Sequence, residues 1–347
     1  MSLFTYPTTT ELMVINDRLQ PQLLADDPIF SHFPIINVDS FNIHWRQKDD
    51  YFGMQQLRGL DGQPGVVGHR GAKEYSYEPG VYGEVYPISE TDLTRMAELA
   101  QIAGRPMSID RHVMEGNTFL VHREMVLIKY ILWKLVTTGT FSIAKDSAIV
   151  HTDSFPIKTV TAAVDWDTVA TATPMADFRA VQLLGPNEGV SFGAAAQAYM
   201  SLVTFNKLLN NTNTNDLGGK LARIMQTADG AGIADLALVN RVQAGANLPK
   251  LNIHEGGYRA APDAPLTPYI PDDIVAIIGQ RQQGEALGEY RKTINANNDP
   301  VGPGSYSTVW DSAVNDGGRP PRKVEVHRGH NGGPVLFYPG AIAILKV

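Results

Sequence analysis

Residues 189–193, Gly-Val-Ser-Phe-Gly, fit the G-x-S-x-G pattern of a nucleophilic serine. In hydrolases that pattern places the serine on a sharp turn that leads from a strand into a helix, so the hydroxyl is exposed for attack. Here residues 183–188, Leu-Leu-Gly-Pro-Asn-Glu, precede the pattern and are typical of a helix end followed by a proline-containing loop. We therefore predict that Ser191 caps a helix beginning at Phe192. A serine esterase using Ser191 is kept as a competing hypothesis.

Histidine pairs offer weak metal-binding candidates. His254-Glu255 begins like the zinc helix H-E-x-x-H, but Tyr258 stands at the fifth position and two glycines interrupt the helix. His327 and His330 flank a short glycine-containing segment without a third ligand in the pattern. We predict no metal ion at either place.

Other apparent motifs fail on spacing. Residues 211–222 start like a calcium loop, but Asp216 and Ala222 stand where glycine and glutamate are required. Residues 218–220, Gly-Gly-Lys, lack the rest of a phosphate-binding loop. Asp165 and Asp167 are better explained as solvated turn residues than as a catalytic pair. The sequence predicts no catalytic residue, no cofactor site and no metal site, and therefore a non-enzymatic protein.

Composition narrows the class of protein. The 347 residues are 43% hydrophobic and 19% charged, which is typical of a folded protein of two or three domains. The net charge of −7 gives no basic footprint for binding a phosphate backbone, and the absence of cysteine excludes disulfides and thiol chemistry. Residues 1–13 lack the pattern of a signal peptide, so we expect synthesis in a cytoplasm.

A central helix is predicted over residues 117–138. Between residues 125 and 136, ten of twelve residues are apolar, so the helix must be covered on most sides. Asn117 or Thr118 can cap its start, Gly139 can end it, and residues 110–116 can add an earlier, kinked turn. The apolar run is too short to cross a bilayer, which needs about 20 residues.

Residues 1–45 are expected to form an arm. A short amphipathic helix begins near Thr8, with Leu12, Ile15 and Leu19 on one side. Apolar clusters around Phe30 and Phe33 follow, punctuated by proline. Because this segment has little core of its own, we expect it to pack on another surface, such as that of a neighbouring subunit.

Residues 46–87 predict a long β-hairpin. Between Gly53 and Gly83 there are eight further glycines or prolines, mixed with aromatic and basic residues. Alternation from Tyr75 and Tyr77 onward indicates a return strand. So long an excursion is either functional or a mobile surface loop, and its aromatic residues favour a partner surface.

The remaining patterns alternate between helix and strand. A helix over 88–103 is predicted with Ser89 or Thr91 as its cap and Leu93, Met96, Leu99 and Ala100 on its buried face. Further helices are predicted from Pro174 to about 185, over 192–209, near 219–228 and over 232–243, and residues 302–318 are predicted to be loop-rich. Strands are predicted over 141–166 and at 248–260, 272–279, 323–328, 335–338 and 341–346.

The order of these elements resembles the major capsid proteins of tailed bacteriophages, specifically the capsid protein E family that includes the lambda capsid protein. The matching stretches are spread over most of the chain, and their order and spacing carry the resemblance. They are residues 27–30, 33–34, 77–82, 132–143, 164–166, 173–177, 333–337 and 339–340.

The resemblance implies the α+β Hong Kong 97-type capsid fold, and subunits that form hexamers and pentamers of an icosahedral shell around packaged double-stranded DNA. It implies a virion protein assembled in the host cytoplasm, with portal, scaffolding and decoration proteins as candidate partners. The implied segments are an arm (1–45), an extended loop (46–87), a peripheral domain (88–189) with its spine helix (117–138), an axial domain (190–305) and closing strands (306–347).

Assembly contacts are expected on the arm and the extended loop. The candidate residues are Phe30, Phe33, Tyr51, Phe52, Leu57, Arg58, Arg70, Tyr75 and Tyr77. An encapsulin-like bacterial shell protein that loads cargo has the same implied fold and stays open as an alternative. The esterase using Ser191 is the alternative from a different class.

Overall fold

The computed structural model describes most of the chain as a mixture of helices and sheets. The described residues are 7–47, 63, 73–103, 109–145, 149–186, 189–211, 236–281, 286–298, 300–317 and 321–347. The α-helices are α1 (Thr9–Ala25), α2 (Ile29–His32), α3 (Glu90–Ala103), α4 (Asp110–Thr138), α5 (Pro174–Gln182), α6 (Leu202–Asn210), α7 (Leu236–Gly245) and α8 (Ser312–Asn315). The predicted helical piece at 219–228 and the hairpin tip lie outside the described residues.

Most of the strands are short, and the two longest are β4 with 9 residues and β19 with 13 residues. They are β1 (Ile35–Asn37), β2 (Ile43–Gln47), β3 (Lys73–Tyr77), β4 (Gly80–Ile88), β5 (Thr140–Lys145), β6 (Ile149–Ser154), β7 (Lys158–Thr161), β8 (Val190–Ser191), β9 (Gln197–Met200), β10 (Lys250–Ile253), β11 (Gly257–Tyr258), β12 (Thr267–Pro268), β13 (Ile274–Ile278), β14 (Gln280–Arg281), β15 (Gly288–Lys292), β16 (Ile294–Asn295), β17 (Gly302–Pro303), β18 (Ser305–Asp311), β19 (Val324–Leu336) and β20 (Ile342–Lys346). The return strand predicted for the second half of the hairpin is present as β3 and β4.

The chain divides into two compact units, each built from separate stretches. The first contains Met1–His44, Ser76–Lys129 and Gly288–Val335, and the second contains Trp45–Tyr75, Tyr130–Leu287 and Leu336–Val347. The segments predicted at 88–189 and 306–347 each contribute to both units. The five-segment division of the chain therefore stays a prediction, with different bounds from these two units.

The first unit is organised around β19. This 13-residue strand pairs antiparallel with β4 and β18, and the sheet continues through β15 to β1. It joins two of the predicted strands, and β18 lies in a stretch that was predicted to be loop. The loop prediction is wrong because β19 pairs with every residue of Ser305–Asp311. The glycine content of the stretch gives no information about this distant partner.

Helices α1, α3 and α4 cover one face of this sheet. The apolar core consists of Leu12, Ile88, Leu93, Ile109, Val113, Leu120, Val324 and Val326. Helix α1 therefore packs on another surface, as expected of the arm, and that surface belongs to its own protomer. A contact of the arm with a neighbouring subunit stays a prediction. Leu99 was expected on the buried face of α3, but it is 65% exposed.

Helix α4 is longer than the sequence indicated. It runs as one 29-residue helix from Asp110, so the predicted cap Asn117 lies inside it and is fully buried. The ring of Tyr86 lies against Gly116, where an added Cβ would be 2.5 Å from a ring carbon. The predicted end is confirmed, since Gly139 follows with a φ of 74°.

The second unit contains a five-stranded sheet in the order β10-β9-β13-β20-β7. The predicted helix over 192–209 is wrong in its first half, because residues Gln197–Met200 form β9 between β10 and β13. Pairing on both sides outweighs the helix propensity of the alanines before it. Ser201 then caps α6 with its side chain. Trp133 is fully buried and packs against Tyr199 and His254.

Helix starts were well signalled by the sequence. The hydroxyl of Thr8 accepts a hydrogen bond from the Glu11 backbone N–H, and the Glu11 carboxylate accepts one from Thr8 N–H. Ser89 and Asp92 form the same reciprocal pair before α3. In the described part of the chain, no helix has the length and apolar character to cross a membrane.

Candidate assembly surface

A buried carboxylate fixes α4 to the sheet of the first unit. Glu124 Oε1 lies 2.6 Å from Lys292 Nζ on β15, and its Oε2 lies 2.6 Å from Arg328 Nε on β19. The three side chains are 3–5% exposed. Burial raises the pKa of the Glu124 carboxyl, but Lys292 and Arg328 outweigh burial and hold that pKa well below its usual range.

Hydroxyl groups extend this ionic network toward the arm. Ser305 Oγ donates to Glu124 Oε1 over 2.5 Å. Arg328 Nη1 donates to Ser307 Oγ over 2.8 Å, and the amide of Asn16 on α1 donates to the same oxygen over 3.1 Å. The network therefore connects α1, α4, β15, β18 and β19.

His330 closes the other end of the network. Its Nδ1 lies 3.5 Å from Glu124 Oε1, and its Nε2 lies 2.9 Å from the hydroxyl of Tyr290. The ring of Tyr82 packs beside it, with ring centroids 5.2 Å apart. Burial raises the pKa of Tyr290 well above its usual value, so this phenol stays neutral.

The opposite face of the same sheet carries exposed and half-buried side chains. Side chains alternate between the two faces along each strand. Arg328 and Val326 face the helices together with the residues paired to them on β4 and β18. The residues between these positions on each strand therefore face outward. Three cross-strand rows form this outer face: Gly83, Gly329 and Tyr306; Val85, His327 and Thr308; Pro87, Glu325 and Trp310. We call these residues, together with Val81 and Lys323, the outer sheet face.

The outer sheet face exposes apolar side chains. Val81 is 76% exposed and Val85 is 45% exposed, while Tyr306 and Trp310 are half-buried. Large β-branched and aromatic side chains in contact with water are a common mark of a protein-binding surface when they are contiguous. Here they form two strips, on β4 and on β18, with β19 between them. The Tyr306 hydroxyl bridges the strips, because a Cβ on Gly83 of β4 would lie 3.0 Å from it.

Two glycines keep the middle of the outer sheet face flat. A Cβ on Gly329 would lie 2.3 Å from the Tyr82 carbonyl oxygen and 2.8 Å from the Tyr306 hydroxyl oxygen. A Cβ on Gly83 would lie 3.0 Å from the same hydroxyl. Because Gly329 and Gly83 have no side chains, the Tyr306 side chain can lie over the neighbouring strands.

The charges of the outer sheet face are paired within it. Lys323 Nζ lies 2.7 Å from Glu325 Oε1, and His327 Nε2 lies 3.1 Å from Glu325 Oε2. The hydrogen bond from Lys323 lowers the pKa of Glu325. With one lysine against one glutamate, the face presents apolar contact area rather than a field that would bind phosphate.

The arm residues chosen as assembly contacts lie inside the protomer. Phe30 is 7% exposed and Phe33 is fully buried. The ring of Phe33 lies against Gly288, where a Cβ would be 2.5 Å from a ring carbon. These side chains fix the arm to its own unit, and their contact with a neighbour remains a prediction.

The hairpin residues divide between described and undescribed positions. Tyr75 stacks on Trp45 with ring centroids 5.1 Å apart, and the hydroxyl of Tyr77 donates to the Pro334 carbonyl over 2.6 Å. Both side chains are half-buried. The other candidates lie outside the described residues: Tyr51, Phe52, Leu57, Arg58 and Arg70.

Ser191 is placed differently from the prediction. It lies in β8, which pairs with β14, so its predicted role as the cap of a helix from Phe192 is wrong. Its Oγ accepts a hydrogen bond from the Gly193 N–H over 3.3 Å. The chain continues through turns into β9 rather than into a helix, so the strand–turn–helix geometry of a nucleophile elbow is not formed.

The remaining polar motifs have structural contacts. Trp166 Nε1 donates to Asp177 over 2.9 Å, and Asp165 accepts from the Asp167 N–H over 2.9 Å, as expected of turn residues. Among the described residues, no group of three or more histidine or acidic side chains is arranged to hold a metal ion.

Sequence reasoning missed the buried network around Glu124. Asn117 and Glu124 are seven residues apart and both lie on the buried side of α4, among Val121 and Ile128. A polar residue recurring at helical spacing within an apolar stripe was the available signal. The partners Lys292 and Arg328 come from distant strands, and no local pattern links them to α4.

The fold is similar to that of two solved structures. The crystal structure of a protein assigned as the capsid protein of a prophage from E. coli CFT073 covers 99% of both chains with a TM-score of 0.61 at 14% sequence identity. A phage-related protein from Bordetella bronchiseptica RB50 covers 95% of this chain and 96% of its own, with a TM-score of 0.54 at 9% identity. No family model and no curated protein matches the sequence. The chain has the α+β architecture of these phage proteins, the Hong Kong 97-type capsid fold.

Proposed function

We propose that this chain is the major capsid protein of a tailed bacteriophage. The observation that carries the proposal is the likeness to the E. coli CFT073 prophage protein, which extends over 99% of both chains rather than over one domain. The fold alone does not fix the function, and the outer sheet face supplies the second support. A protein of this size that exposes a flat apolar sheet face fits a subunit that is covered by its neighbours.

The proposed activity is self-assembly. Copies join through hexamers and pentamers into an icosahedral shell that encloses packaged double-stranded DNA. The paired charges of Lys323 and Glu325 and the overall charge of −7 favour contact between protein surfaces over binding of DNA. The shell then encloses DNA without reading its sequence.

The occupant we propose for the outer sheet face is a second copy of this chain. Val81 and Val85 on β4 and the half-buried rings of Tyr306 and Trp310 on β18 supply the apolar contact area that protein interfaces use. Glu325 and His327 lie between these apolar strips on β19, and their charges are already paired within the face, with Glu325 contacting both Lys323 and His327. Such a contact needs roughly 800 Å² per partner to be stable on its own, but repeated contacts in a closed shell lower that requirement.

The protein acts without catalysis in this proposal. Its location is the virion, after assembly in the host cytoplasm, and its further partners are a portal protein, a scaffolding protein and a decoration protein. The predicted contacts of Tyr51, Phe52, Leu57, Arg58 and Arg70 on the extended loop belong to the same proposal.

A matched pair of substitutions at Val85 tests the contact. Val85→Glu places a charge in the apolar strip of β4, whereas Val85→Thr keeps the branched shape that suits a strand. We expect the glutamate variant to remain folded and to sediment as small species, while the threonine variant forms large particles like the unchanged chain. Large particles from the folded glutamate variant would exclude the outer sheet face as the contact.

A further inference from the structure

Helix α1 is held by a narrow contact. Of its 17 residues, all of which the structure describes, only Leu12 and Asn16 are buried. Val14 is 47% exposed. The other large apolar residues are only half-buried: Met13, Ile15, Leu19, Leu23 and Leu24. Because only Leu12 is completely removed from water, α1 gains less from the hydrophobic effect than a helix with a fully buried face.

The polar part of this contact is incomplete. Asn16 donates to Ser307 on β18 over 3.1 Å and accepts from the Asn117 amide on α4 over 2.8 Å. Within the described part of the chain, the buried Oδ1 of Asn117 has no hydrogen-bond partner. An unpaired buried acceptor is destabilising, so it favours an opened state in which water can reach it.

The structure of α1 does not depend on this contact alone. The reciprocal hydrogen bonds between Thr8 and Glu11 stabilise its first turn from within the helix. Its last turn is followed by Asp26, Asp27 and Pro28, a short connection to α2. Helix α2 is anchored independently, since Ile29 is fully buried.

The connection is weakly restrained at Asp26. Lys129 Nζ lies 3.5 Å from Asp26, whose side chain is 75% exposed. Asp27 is buried, and its Oδ1 accepts a hydrogen bond from the Ile29 N–H over 3.0 Å, so it belongs to the anchored start of α2. An ion pair with one exposed partner, such as Lys129–Asp26, contributes little to stability. Movement of α1 about Ala25 and Asp26 therefore breaks few strong contacts.

We infer that α1 is a releasable strap, which detaches from β18 and α4 while the rest of the first unit stays folded. Once detached, its helical hydrogen bonds open readily, because an isolated helix of this length is only marginally stable in water. The inference depends on the contacts of Leu12, Asn16 and Asn117 and does not depend on shell formation. When the strap is released, water reaches Ser307, which is the hydrogen-bond partner of Arg328 in the buried ionic network.

Amide hydrogen exchange of the full chain, followed by mass spectrometry, tests the strap. Local release predicts that peptides from α1 exchange faster than peptides from β18 and β19, with a weaker dependence on low urea concentrations, because local opening exposes little surface. Exchange of α1 at the same rate as β18, with the same urea dependence, would contradict the inference.

Two substitutions in α1 provide the matched comparison. Asn16→Ala removes the polar contact and should raise the exchange rate of α1 about tenfold, with β19 unchanged. Val14→Ala changes an exposed position of the same helix and should leave both unchanged. If Asn16→Ala accelerates α1 and β19 equally, or changes neither, α1 is an integral part of the core and the strap does not exist. The exchange pattern of the unsubstituted chain decides the matter even if Asn16→Ala fails to fold.

Discussion

Glu124 on α4 and Lys292 on β15 form an ion pair of 2.6 Å in the interior of the first unit, 168 residues apart in the sequence. Arg328 contacts the other carboxylate oxygen, so one negative charge faces two positive charges. Burial of these charges requires each to keep its partners. The pair therefore fixes the position of α4 against the sheet more specifically than apolar contact does.

Glu124→Gln should destabilise the protein strongly. The substitution leaves Lys292 and Arg328 buried without a negative partner, which costs roughly 3–5 kcal/mol of unfolding free energy. Urea denaturation followed by circular dichroism measures the change. Glu115→Gln is the control, because the Glu115–Arg111 pair is exposed and contributes about 0–1 kcal/mol. Equal losses in the two variants would mean that the buried network does not stabilise the fold.

The same carboxyl predicts an acid dependence of stability. The pKa of Glu124 is lowered in the folded state from its ordinary 4.5. Its contribution to stability is therefore fully present above the unfolded-state pKa and is lost progressively as the pH falls below about 4.5 toward the folded-state pKa. Unfolding free energies measured from pH 7 down to pH 3 should decrease in that range, and Glu124→Gln should flatten the decrease. An unaltered pH profile in the variant would argue against this assignment.

Trp133→Ala tests the core of the second unit. Trp133 is fully buried and packs edge-on against Tyr199, with ring centroids 5.3 Å apart. The cavity left by the substitution should cost about 3–5 kcal/mol of unfolding free energy. Leu183→Ala is the control, since Leu183 is exposed and should change stability by no more than about 0.5 kcal/mol. A loss below about 1 kcal/mol for Trp133→Ala would contradict its central place in this core.

Ser191→Ala should change stability by about 1 kcal/mol or less, because it removes one hydrogen bond to the Gly193 N–H. The expected mechanism is the loss of a turn contact and not of a helix cap. Assembly should be intact, as judged by sedimentation. An ester-hydrolysing activity that disappears in the folded variant would instead support the hydrolase hypothesis.

Local signals predicted much of this fold. The Thr8–Glu11 and Ser89–Asp92 pairs indicated the starts of α1 and α3, and Gly139 indicated the end of α4. Each of these features depends on residues within a few positions of one another, so a single sequence contains all the necessary information.

Nonlocal pairing explains what could not be predicted. Residues Gln197–Met200 follow alanines and look helical, but β10 and β13 hold them as a strand from both sides. Ser305–Asp311 looks like a loop, but β19 pairs with all of it. The outer sheet face is likewise formed only when β4, β18 and β19 come together, so its residues could not be chosen from the sequence.

The predicted hairpin tip separates folding from assembly. Replacing residues 53–71 with a short Gly-Ser turn should leave the far-ultraviolet circular dichroism and melting temperature of the protomer nearly unchanged, because we expect the tip to be satisfied by a neighbouring subunit. Closed particles should fail to form. Normal particles from this variant would mean that the hairpin is not an assembly contact, and an unfolded variant would place the tip in the core.

Electron microscopy of the purified, unsubstituted chain tests the central claim most directly. If the chain is a major capsid protein, concentrated samples should contain closed or partly closed shells with hexameric and pentameric units, and sedimentation should show species far larger than a 37.9 kDa protomer. Micrographs without shells, together with sedimentation as monomer or dimer across all salt and protein concentrations, would contradict the account.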